Sequence, residues 1–595
     1  MEQYEKLIKN MSVEYNSINL KCCRISNLRL ICAIVCIISV FLSISNSRID
    51  AFFVGVGLAI TFVILLIYHV TVIKKRDYIY AKMKVSQKRI DRYNGKWHEF
   101  KDTGIEFINE ESHVEKDLDL FGDNSLFQYL NVANTLEGQN ILASWLHPND
   151  INEKILYMRQ NAVKELIERK EVAIEIETLS TMITFNKKNT KNWYTEFVNY
   201  LKSDGKLVHF SIRLSAILLN FIIVVLFILQ LKGFETLYYI GIIGVFQLIG
   251  ASYFSYKNSK IIKTIYNFCI NIEDYHNLIN YIGNINFSSE HLQALCSKVS
   301  GQNRSLIGIK KLKQLDAAFS LQTNPLIHIL LQMFFLYDIH CIATLQQWKS
   351  KYSESMNEIF DVIGEVEALL SLSVLGEHQN ISFPVFENNN QIIFESDHMY
   401  HPLVSQETVI SNSFYTKNGV NFITGSNMSG KTTFLRTVGI NAVLAYAGAP
   451  VCAERMHLSF MKLFTSMRVQ DDVSKGLSSF YAEVLRIKEI IEHLEKREPM
   501  LVLIDEIFKG TNSKDRIVGA TEITKSLNKD YVILFVSTHD FELCNLVDQH
   551  EVVGSNYHFE EYYKNNKIYF DYKIKEGKCT TKNAIHILRM AGLMK

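Results

Sequence analysis

Apolar residues are concentrated in four long stretches of the N-terminal half of the chain. They occupy residues 28–45, 51–73, 214–231 and 237–254, and they contain almost no charge. Each stretch is close to the roughly 20 residues that an α-helix needs to cross the hydrocarbon core of a bilayer. A short turn separates the two members of each pair. The pattern predicts four transmembrane helices in two hairpins, with buried helices of a soluble domain as the alternative.

Basic residues flank the hairpins at their open ends and are rare in the turns. Lys74, Lys75 and Arg76 follow the second stretch, whereas the turn at residues 46–50 contains only Arg48. The positive-inside rule therefore places both termini and the middle region in the cytoplasm. We expect a multi-pass protein of the cytoplasmic membrane, with membrane lipid as a partner. The stretches hold almost no ionisable group, which favours anchors over a transport pathway.

A fifth apolar stretch, residues 325–345, differs from the other four. It contains His328, Asp338 and His340 at helical spacing. A charged aspartate near the centre of a bilayer is costly. We therefore predict a buried helix of a soluble domain here.

The region between the hairpins and after them shows helical periodicity. No proline occurs between Pro148 and Pro325, and apolar residues recur there at helical spacing, which predicts long amphipathic helices. Residues 74–101 form the most basic part of the chain. A solvated helix just inside the membrane explains this stretch, and contact with anionic lipid head groups or nucleic acid is the alternative.

Composition narrows the function classes only slightly. The chain has 63 Lys and Arg residues against 62 Asp and Glu residues, so no bulk basic excess indicates nucleic-acid binding. The ten cysteines show neither a CxxC spacing nor a zinc-ligand spacing. This indicates reduced cysteines and a cytoplasmic location for most of the chain.

A short apolar strand at residues 420–424 runs directly into a GxxxxGK[ST] motif, and a helical pattern follows at residues 433–447. This order is the one in which backbone N–H groups and a helix N-terminus hold phosphates. We expect Lys431 to reach the β- and γ-phosphates of ATP and Thr432 to bind Mg²⁺. The residues predicted to bind the nucleotide are Gly425, Ser426, Asn427, Met428, Ser429, Gly430, Lys431, Thr432 and Thr433.

Two further apolar strands end in polar residues. Residues 500–504 precede Asp505 and Glu506, and residues 531–536 precede Ser537, Thr538 and His539. We expect Asp505 to hold Mg²⁺, Glu506 to polarise the attacking water, and His539 to sense the γ-phosphate. With Lys431, Glu506 and His539 form the predicted catalytic set. The strands predict a mostly parallel sheet with its site at their carboxyl ends.

Four segments resemble the ATPase domain of the MutS mismatch-repair family. They are residues 424–439, 471–484, 501–516 and 537–543, and their order and spacing also fit. A weaker resemblance to the helical core, or lever, domain begins near residue 117. The resemblance implies that Ser478 and Ser479 belong to a signature loop that completes the nucleotide site of a partner subunit, and therefore a homodimer.

The chain also departs from the family pattern. The mismatch-reading N-terminal domain has no evident counterpart, the third and fourth apolar stretches interrupt the core, and a C-terminal helix-turn-helix is not evident. Val409 lies near the place where DNA-repair members carry an aromatic residue against adenine. DNA binding is therefore a possible function for this chain, and mismatch specificity is doubtful.

We thus predict a mixed fold, with an α-helical core and a C-terminal α/β P-loop domain of ABC-like type. The predicted function is a membrane-anchored ATPase that moves a helical core, with DNA as a possible ligand. The alternative is a non-DNA membrane machine that acts on a protein partner or the bilayer. An ABC-type transporter subunit fits less well because an LSGGQ-like segment is lacking. The predicted divisions are residues 1–27 (cytoplasmic segment), 28–73 (first hairpin), 74–116 (basic helical segment), 117–400 (core, interrupted by the second hairpin at 214–254) and 401–595 (ATPase).

Overall fold

The computed structural model describes most of the chain. The described residues are 2–46, 49–147, 152–185, 191–203, 208–269, 272–300, 304–320, 325–387, 391–426, 428–468, 479–509, 512–564 and 567–579.

Helices dominate the described residues. In chain order they are α1 (Glu2–Asn46), α2 (Ile49–Tyr93), α3 (His113–Asp117), α4 (Leu126–Leu130), α5 (Leu136–Leu146), α6 (Glu153–Glu168), α7 (Lys170–Phe185), α8 (Lys191–Lys202), α9 (Phe210–Leu231), α10 (Leu237–Lys257), α11 (Ser259–Cys269), α12 (Ile272–Asn284), α13 (Glu290–Val299), α14 (Arg304–Ser320), α15 (Pro325–Phe335), α16 (Tyr337–Ser373), α17 (Lys431–Ala447), α18 (Ser479–His493), α19 (Ser513–Leu527) and α20 (Asn545–Asp548).

The strands lie in the C-terminal region, which gives the mostly helical chain a mixed α/β part. They are β1 (Val385–Phe386), β2 (Ile393–Met399), β3 (Asn412–Lys417), β4 (Gly419–Thr424), β5 (Arg455–Leu458), β6 (Lys462–Ser466), β7 (Met500–Asp505), β8 (Val532–Thr538), β9 (Gly554–His558), β10 (Glu561–Lys564), β11 (Lys567–Phe570) and β12 (Lys575–Glu576).

The chain divides into two compact units. One comprises residues 1–90, 133–138 and 170–367, and the other comprises residues 91–132, 139–169 and 368–595. The first unit is helical. The second contains the sheets.

Four helices of the first unit are long and apolar enough to cross a membrane: α1, α2, α9 and α10. This agrees with the four stretches predicted from the sequence. Large apolar side chains on these helices are exposed, for example Phe41, Phe53, Phe221 and Phe246.

Helices α1 and α2 extend far beyond the apolar stretches. Each has 45 residues, which corresponds to about 68 Å at 1.5 Å per residue, whereas a bilayer core is about 30 Å thick. Their polar halves pack together, with Ile18 and Cys22 of α1 and Ile79 of α2 buried in one cluster. Helix ends therefore do not occur at residues 27 and 74, because interhelical packing continues where the purely apolar sequence stops.

Ion pairs engage much of the basic stretch after the first hairpin. Lys82 contacts Glu175 at 2.8 Å, and Arg89 contacts the buried Glu177 at 2.8 Å. Both glutamates lie on α7. These contacts are typical of a helix packed within its own unit. Further pairs join Lys74 with Glu273 and Lys75 with Glu14.

Residues 325–345 do not form the single buried helix that the sequence predicted. Leu336 separates α15 from α16 and has a φ of 46°, a left-handed conformation that interrupts a helix. The side chains of Ile329, Leu330 and Phe335 are 48%, 55% and 52% exposed. The prediction of one continuous helix is therefore wrong. Its burial is confirmed in part, because Leu336, Ile342 and Leu345 are buried whereas the three side chains of α15 are not.

The second unit contains a six-stranded sheet with the order β12-β9-β4-β8-β7-β6. All neighbouring strands from β9 to β6 are parallel, and only β12 pairs antiparallel. Strands β7 and β8 are buried along almost their whole length, which explains why they consist of continuous apolar residues. A smaller sheet has the order β1-β5-β2-β3.

Candidate functional site

The carboxyl ends of three central strands meet at one edge of the six-stranded sheet. Thr424 at the end of β4 lies opposite Thr538 of β8, and Asp505 at the end of β7 lies opposite Ser537. The strands are parallel and in register, so the residues that follow them are brought together. This edge collects the polar residues that the sequence analysis singled out.

The loop after β4 has a backbone that favours glycine. Gly425 has a φ of 147° and Gly430 a φ of 105°. A Cβ on Gly425 would lie 2.7 Å from the carbonyl oxygen of Phe559, so a side chain at this position would force the loop apart. Met428 also has a positive φ, of 72°. Helix α17 begins directly afterwards at Lys431, with Gly430 as its N-cap residue.

The ammonium group of Lys431 is folded back onto this loop. Its Nζ donates to the carbonyl oxygens of Gly425 at 3.0 Å and Ser426 at 2.9 Å. It also lies 3.4 Å from Nε2 of His539. Burial lowers the pKa of Lys431, although Glu506 and Asp505 counteract this. The result is a buried cation at the edge of the sheet.

Two hydroxyl groups orient the carboxylate of Asp505. Thr432 Oγ1 donates to Oδ2 at 2.7 Å, and Ser537 Oγ donates to Oδ1. A hydroxyl and a carboxylate in contact are the oxygen ligands that Mg²⁺ prefers.

Glu506 lies between two cationic or hydrogen-bonding side chains. Its Oε1 is 2.9 Å from Nε2 of His539, and its Oε2 is 2.6 Å from Nζ of Lys509. The hydrogen bond with His539, followed by that with Lys509, lowers the pKa of Glu506 to about 2. Its backbone has a φ of 53°, and its N–H donates to the carbonyl oxygen of Ser537 at 3.1 Å. The carboxylate is therefore ionised at neutral pH and held in a fixed place.

The remaining predicted residues are distributed around this edge. Ser426 Oγ donates to Glu561 at 3.0 Å, Ser429 is buried, and Thr433 is exposed on α17. Asn427 and Ser478 lie outside the described residues. Ser479 begins α18, of which the backbone is described at that position.

Three neighbours of the site were not predicted from the sequence as site residues. Ser537 orients Asp505, and Lys509 binds Glu506. The ring of Tyr572 lies 3.1 Å from where a Cβ on Gly430 would be. Ser537 could be noticed in the sequence as a polar residue at the end of a strand. The contact of Tyr572 with Gly430 could not, because the two residues are 142 positions apart in the chain.

Metal ligation by protein groups alone is not indicated. Within the described ranges, no group of three or more His, Cys, Asp and Glu side chains could hold a metal ion. A Mg²⁺ ion at Thr432 and Asp505 would therefore take its other ligands from phosphate oxygens and water, which is how this ion is commonly bound.

Comparison with known proteins identifies the class of this region. Residues 421–595 match the family model for MutS domain V. The chain is 30% identical over 253 residues to the DNA mismatch repair protein MutS of Geobacillus sp. (strain WCH70), and 31% identical over 251 residues to that of Streptococcus pneumoniae serotype 19F (strain G54). It is 29% identical over 256 residues to the MutS protein of Protochlamydia amoebophila (strain UWE25).

Each of these alignments covers 41% of this chain and 29% of the length of the relative. The likeness therefore lies in the C-terminal region that contains the site. Over that region the chain is similar to the MutS family, which agrees with the resemblance seen in the sequence.

Proposed function

We propose that this protein is a membrane-anchored MutS-family ATPase that couples ATP binding and hydrolysis to movement of its helical core. One observation carries the proposal. Three segments that are far apart in the sequence meet at the sheet edge. His539 contacts both Lys431 and Glu506, and Thr432 donates to Asp505. Such a set fits a triphosphate with its magnesium ion.

The loop and helix that begin the site supply the phosphate-binding groups. The positive φ values of Gly425 and Gly430 turn the backbone so that N–H groups can point to a common centre. Lys431 would exchange its two carbonyl partners for the β- and γ-phosphates. Thr432 and Asp505 would hold Mg²⁺, the latter through water.

Glu506 and His539 would act on the attacking water. A carboxylate whose pKa is about 2 is a weak base, so Glu506 would orient and polarise the water more than remove its proton. Because phosphoryl transfer depends mainly on positioning and charge stabilisation, this is sufficient. His539, which contacts both Glu506 and Lys431, is placed to respond to the γ-phosphate.

We assign one role to each of the segments that the sequence predicts. Residues 28–73 and 214–254 would anchor the protein in the cytoplasmic membrane, and residues 117–400 would form the core that moves. Residues 401–595 would hydrolyse ATP on the cytoplasmic side. The four apolar helices with exposed faces support the anchoring.

Dimerisation through the ATPase domains is part of the proposal. The signature loop with Ser478 and Ser479 would complete the site of a second subunit. Mixing the Ser478→Ala and Glu506→Gln variants tests this, because one of the two shared sites in a mixed dimer would then carry both defects and the other none. Recovered turnover in the mixture supports shared sites, and turnover equal to the sum of the separate variants contradicts them.

The decisive experiment is steady-state ATPase activity of the full chain purified in detergent. Glu506→Gln should still bind ATP but hydrolyse it at least 100-fold more slowly, since the water loses its polarising carboxylate. The matched control is Glu495→Gln, which changes an exposed glutamate of the same unit and should leave turnover unchanged. Normal turnover in Glu506→Gln would remove this residue from the proposed role.

A second candidate function is a membrane machine that does not bind DNA. The ion pairs within the basic stretch at residues 74–101 favour it. Lys74, Lys75, Lys82 and Arg89 already contact glutamates, so fewer cations are available for nucleic-acid phosphates. ATPase activity measured with homoduplex, mismatched and branched DNA separates the two. Stimulation that disappears at high salt would indicate DNA handling, and activity indifferent to every DNA would indicate a protein or bilayer substrate.

A further inference from the structure

Helix α15 buries a polar side chain and exposes three large apolar ones. Gln332 is 3% exposed and Asp338, at the start of α16, is 1% exposed. Ile329, Leu330 and Phe335 are between 48% and 55% exposed. A helix on the surface of a water-soluble domain shows the opposite distribution. Helix α12 of the same unit does so, with Ile272, Leu278 and Ile282 among its buried residues.

Hydrogen bonds connect Asp338 and Gln332 to neighbouring polar groups of the same unit. His328 Nε2 lies 3.1 Å from Asp338 Oδ1 and 2.8 Å from Gln332 Nε2. Ser255 of α10 donates to Asp338. The cluster is therefore linked to one of the helices that are apolar enough to cross a membrane.

Helices α9 and α10 also contact the break between α15 and α16. Asn220 of α9 donates to the carbonyl oxygen of Phe335 at 3.0 Å, and it lies 3.2 Å from His340 Nε2. Gln247 of α10, which is 1% exposed, donates to Asn220 at 3.4 Å. Irregular backbone at the depth of a bilayer is tolerated only where protein groups satisfy it, and Asn220 fulfils this requirement.

Close packing places α15 against the middle of α10. A Cβ on Gly244 would lie 2.8 Å from Cε of Met333, so the glycine permits direct contact between the two helices. Small residues have this role where helices associate in lipid. The exposed apolar face of α15 thus continues the exposed apolar faces of α9 and α10.

The length of α15 excludes a full crossing. Its 11 residues span about 16 Å, half of a bilayer core of about 30 Å. The helices on either side of it also contact each other, since Trp348 of α16 donates to the carbonyl oxygen of Gly308 of α14 at 2.8 Å. The chain from α15 to the start of α16 therefore begins and ends beside the same pair of packed helices, α14 and α16.

We propose that α15 and the start of α16 form a fifth membrane-embedded element, a re-entrant segment whose outer face contacts lipid acyl chains. The inference rests on the proposed membrane anchoring and extends it to a segment with an internal aspartate. It replaces the reading of residues 325–345 as part of a soluble domain. The occupant of the apolar face is lipid, because that face is continuous with those of α9 and α10.

Site-directed spin labelling of the full chain in lipid vesicles tests this. Single cysteines are introduced as Leu330→Cys on α15, Phe246→Cys on α10 and Glu354→Cys on α16, the last being an exposed polar position. The background carries Cys23→Ser, Cys32→Ser, Cys36→Ser and Cys269→Ser, so that the native cysteines that remain are buried ones. Oxygen, which concentrates in lipid, and a water-soluble nickel chelate then report the surroundings of each label.

The inference predicts that labels at 330 and 246 collide with oxygen and are protected from nickel, whereas the label at 354 shows the reverse. If the label at 330 is accessible to nickel like the label at 354, while the label at 246 is protected, the inference is overturned and the anchoring is left intact. A label at 330 shielded from both reagents would also overturn it, since protein would then cover this face. Nickel access at 246 would overturn the anchoring itself.

Discussion

The six-stranded sheet and the helices α9, α10 and α15 bury opposite kinds of side chains. In the sheet, Phe422 and Phe535 are fully buried, and polar residues occur at the edge where the strands end. Around α9 and α10, phenylalanines such as Phe246 are exposed, while Asp338 and Gln247 are buried. Exposed side chains generally have the polarity of the medium that surrounds them. This rule explains both regions if water surrounds the sheet and lipid surrounds the helices.

The comparison also separates two uses of buried polar groups. Lys431 is held by two backbone carbonyl oxygens, and Glu506 is held by His539 and Lys509 at the exposed edge of the sheet. Asp338 is enclosed by its partners His328 and Ser255. The first arrangement suits chemistry, and the second suits a fixed architecture in a medium where an unpaired polar group is expensive.

Removing the buried cation of the sheet edge should have the largest effect on ligand binding. Lys431→Ala is expected to weaken ATP binding by about 100-fold or more, because charge-assisted hydrogen bonds to the phosphates are lost. Lys525→Ala is the control, since that lysine is paired with Glu551 on another surface. Calorimetric titration of the full chain with ATP measures both. Retained affinity in Lys431→Ala would contradict the phosphate-binding role.

Truncating one phenylalanine in each region tests the two-solvent comparison directly. Phe535→Ala should destabilise the protein by about 3–5 kcal/mol, because it opens a cavity in the sheet core. Phe246→Ala removes the same atoms from an exposed position and should change stability by less than about 1 kcal/mol.

Thermal unfolding in detergent, followed by the loss of ATP binding, measures this pair. Equal destabilisation by the two variants would mean that Phe246 is covered by protein, and the comparison would fail.

Breaking the enclosed cluster should have an intermediate effect. Asp338→Ala leaves His328 and Ser255 without a shared partner, and we expect a loss of about 1–3 kcal/mol. Asp338→Asn keeps the shape and an acceptor oxygen and should lose less. The thermal midpoint in detergent distinguishes the two. A midpoint unchanged by Asp338→Ala would show that the cluster is not required for the packing of α15.

A buried histidine of the second unit should give the smallest effect, and one that depends on pH. Burial lowers the pKa of His378 to about 4 from its usual 6.5. The unfolded chain therefore takes up a proton first, and the free energy of unfolding declines as pH falls below about 6.5. The contribution between pH 7 and pH 5.5 is about 1 kcal/mol.

His378→Gln should flatten this decline when thermal midpoints are compared across the same pH range. Tyr129→Phe is the control, because it removes the 2.5 Å contact with His378 Nε2 and keeps the histidine buried. It should lower the midpoint without changing the slope. A wild-type slope in His378→Gln would assign the acid sensitivity to other groups.

Much of the local structure could be predicted because it depends on residues that are close together in the sequence. The strands expected at residues 420–424, 500–504 and 531–536 are observed as β4, β7 and β8, since continuous apolar runs bounded by polar residues suit a buried parallel sheet. The four apolar helices were equally visible. The ends of α1 and α2 were not, because their polar halves are held by packing between the two helices.

The surroundings of the predicted site residues could be foreseen only in part. The strand ends of β4, β7 and β8 indicated that Lys431, Asp505 and His539 would meet. The contact of Lys509 with Glu506 depends on a left-handed turn at Glu506 and Phe508, which the sequence does not mark with glycine. Tyr572 reaches Gly430 only because a late segment folds back beside the loop.

The sequence by itself determined which segments are apolar enough for a membrane and which loop has the pattern of a phosphate-binding turn. Both depend on residues that are neighbours in the chain. Only the tertiary structure decided that residues 325–345 break at Leu336 and that Ile329, Leu330 and Phe335 of α15 are exposed. That outcome depends on Asn220, Gln247 and Ser255, which lie on other helices and satisfy the polar groups that a single segment would have to bury alone.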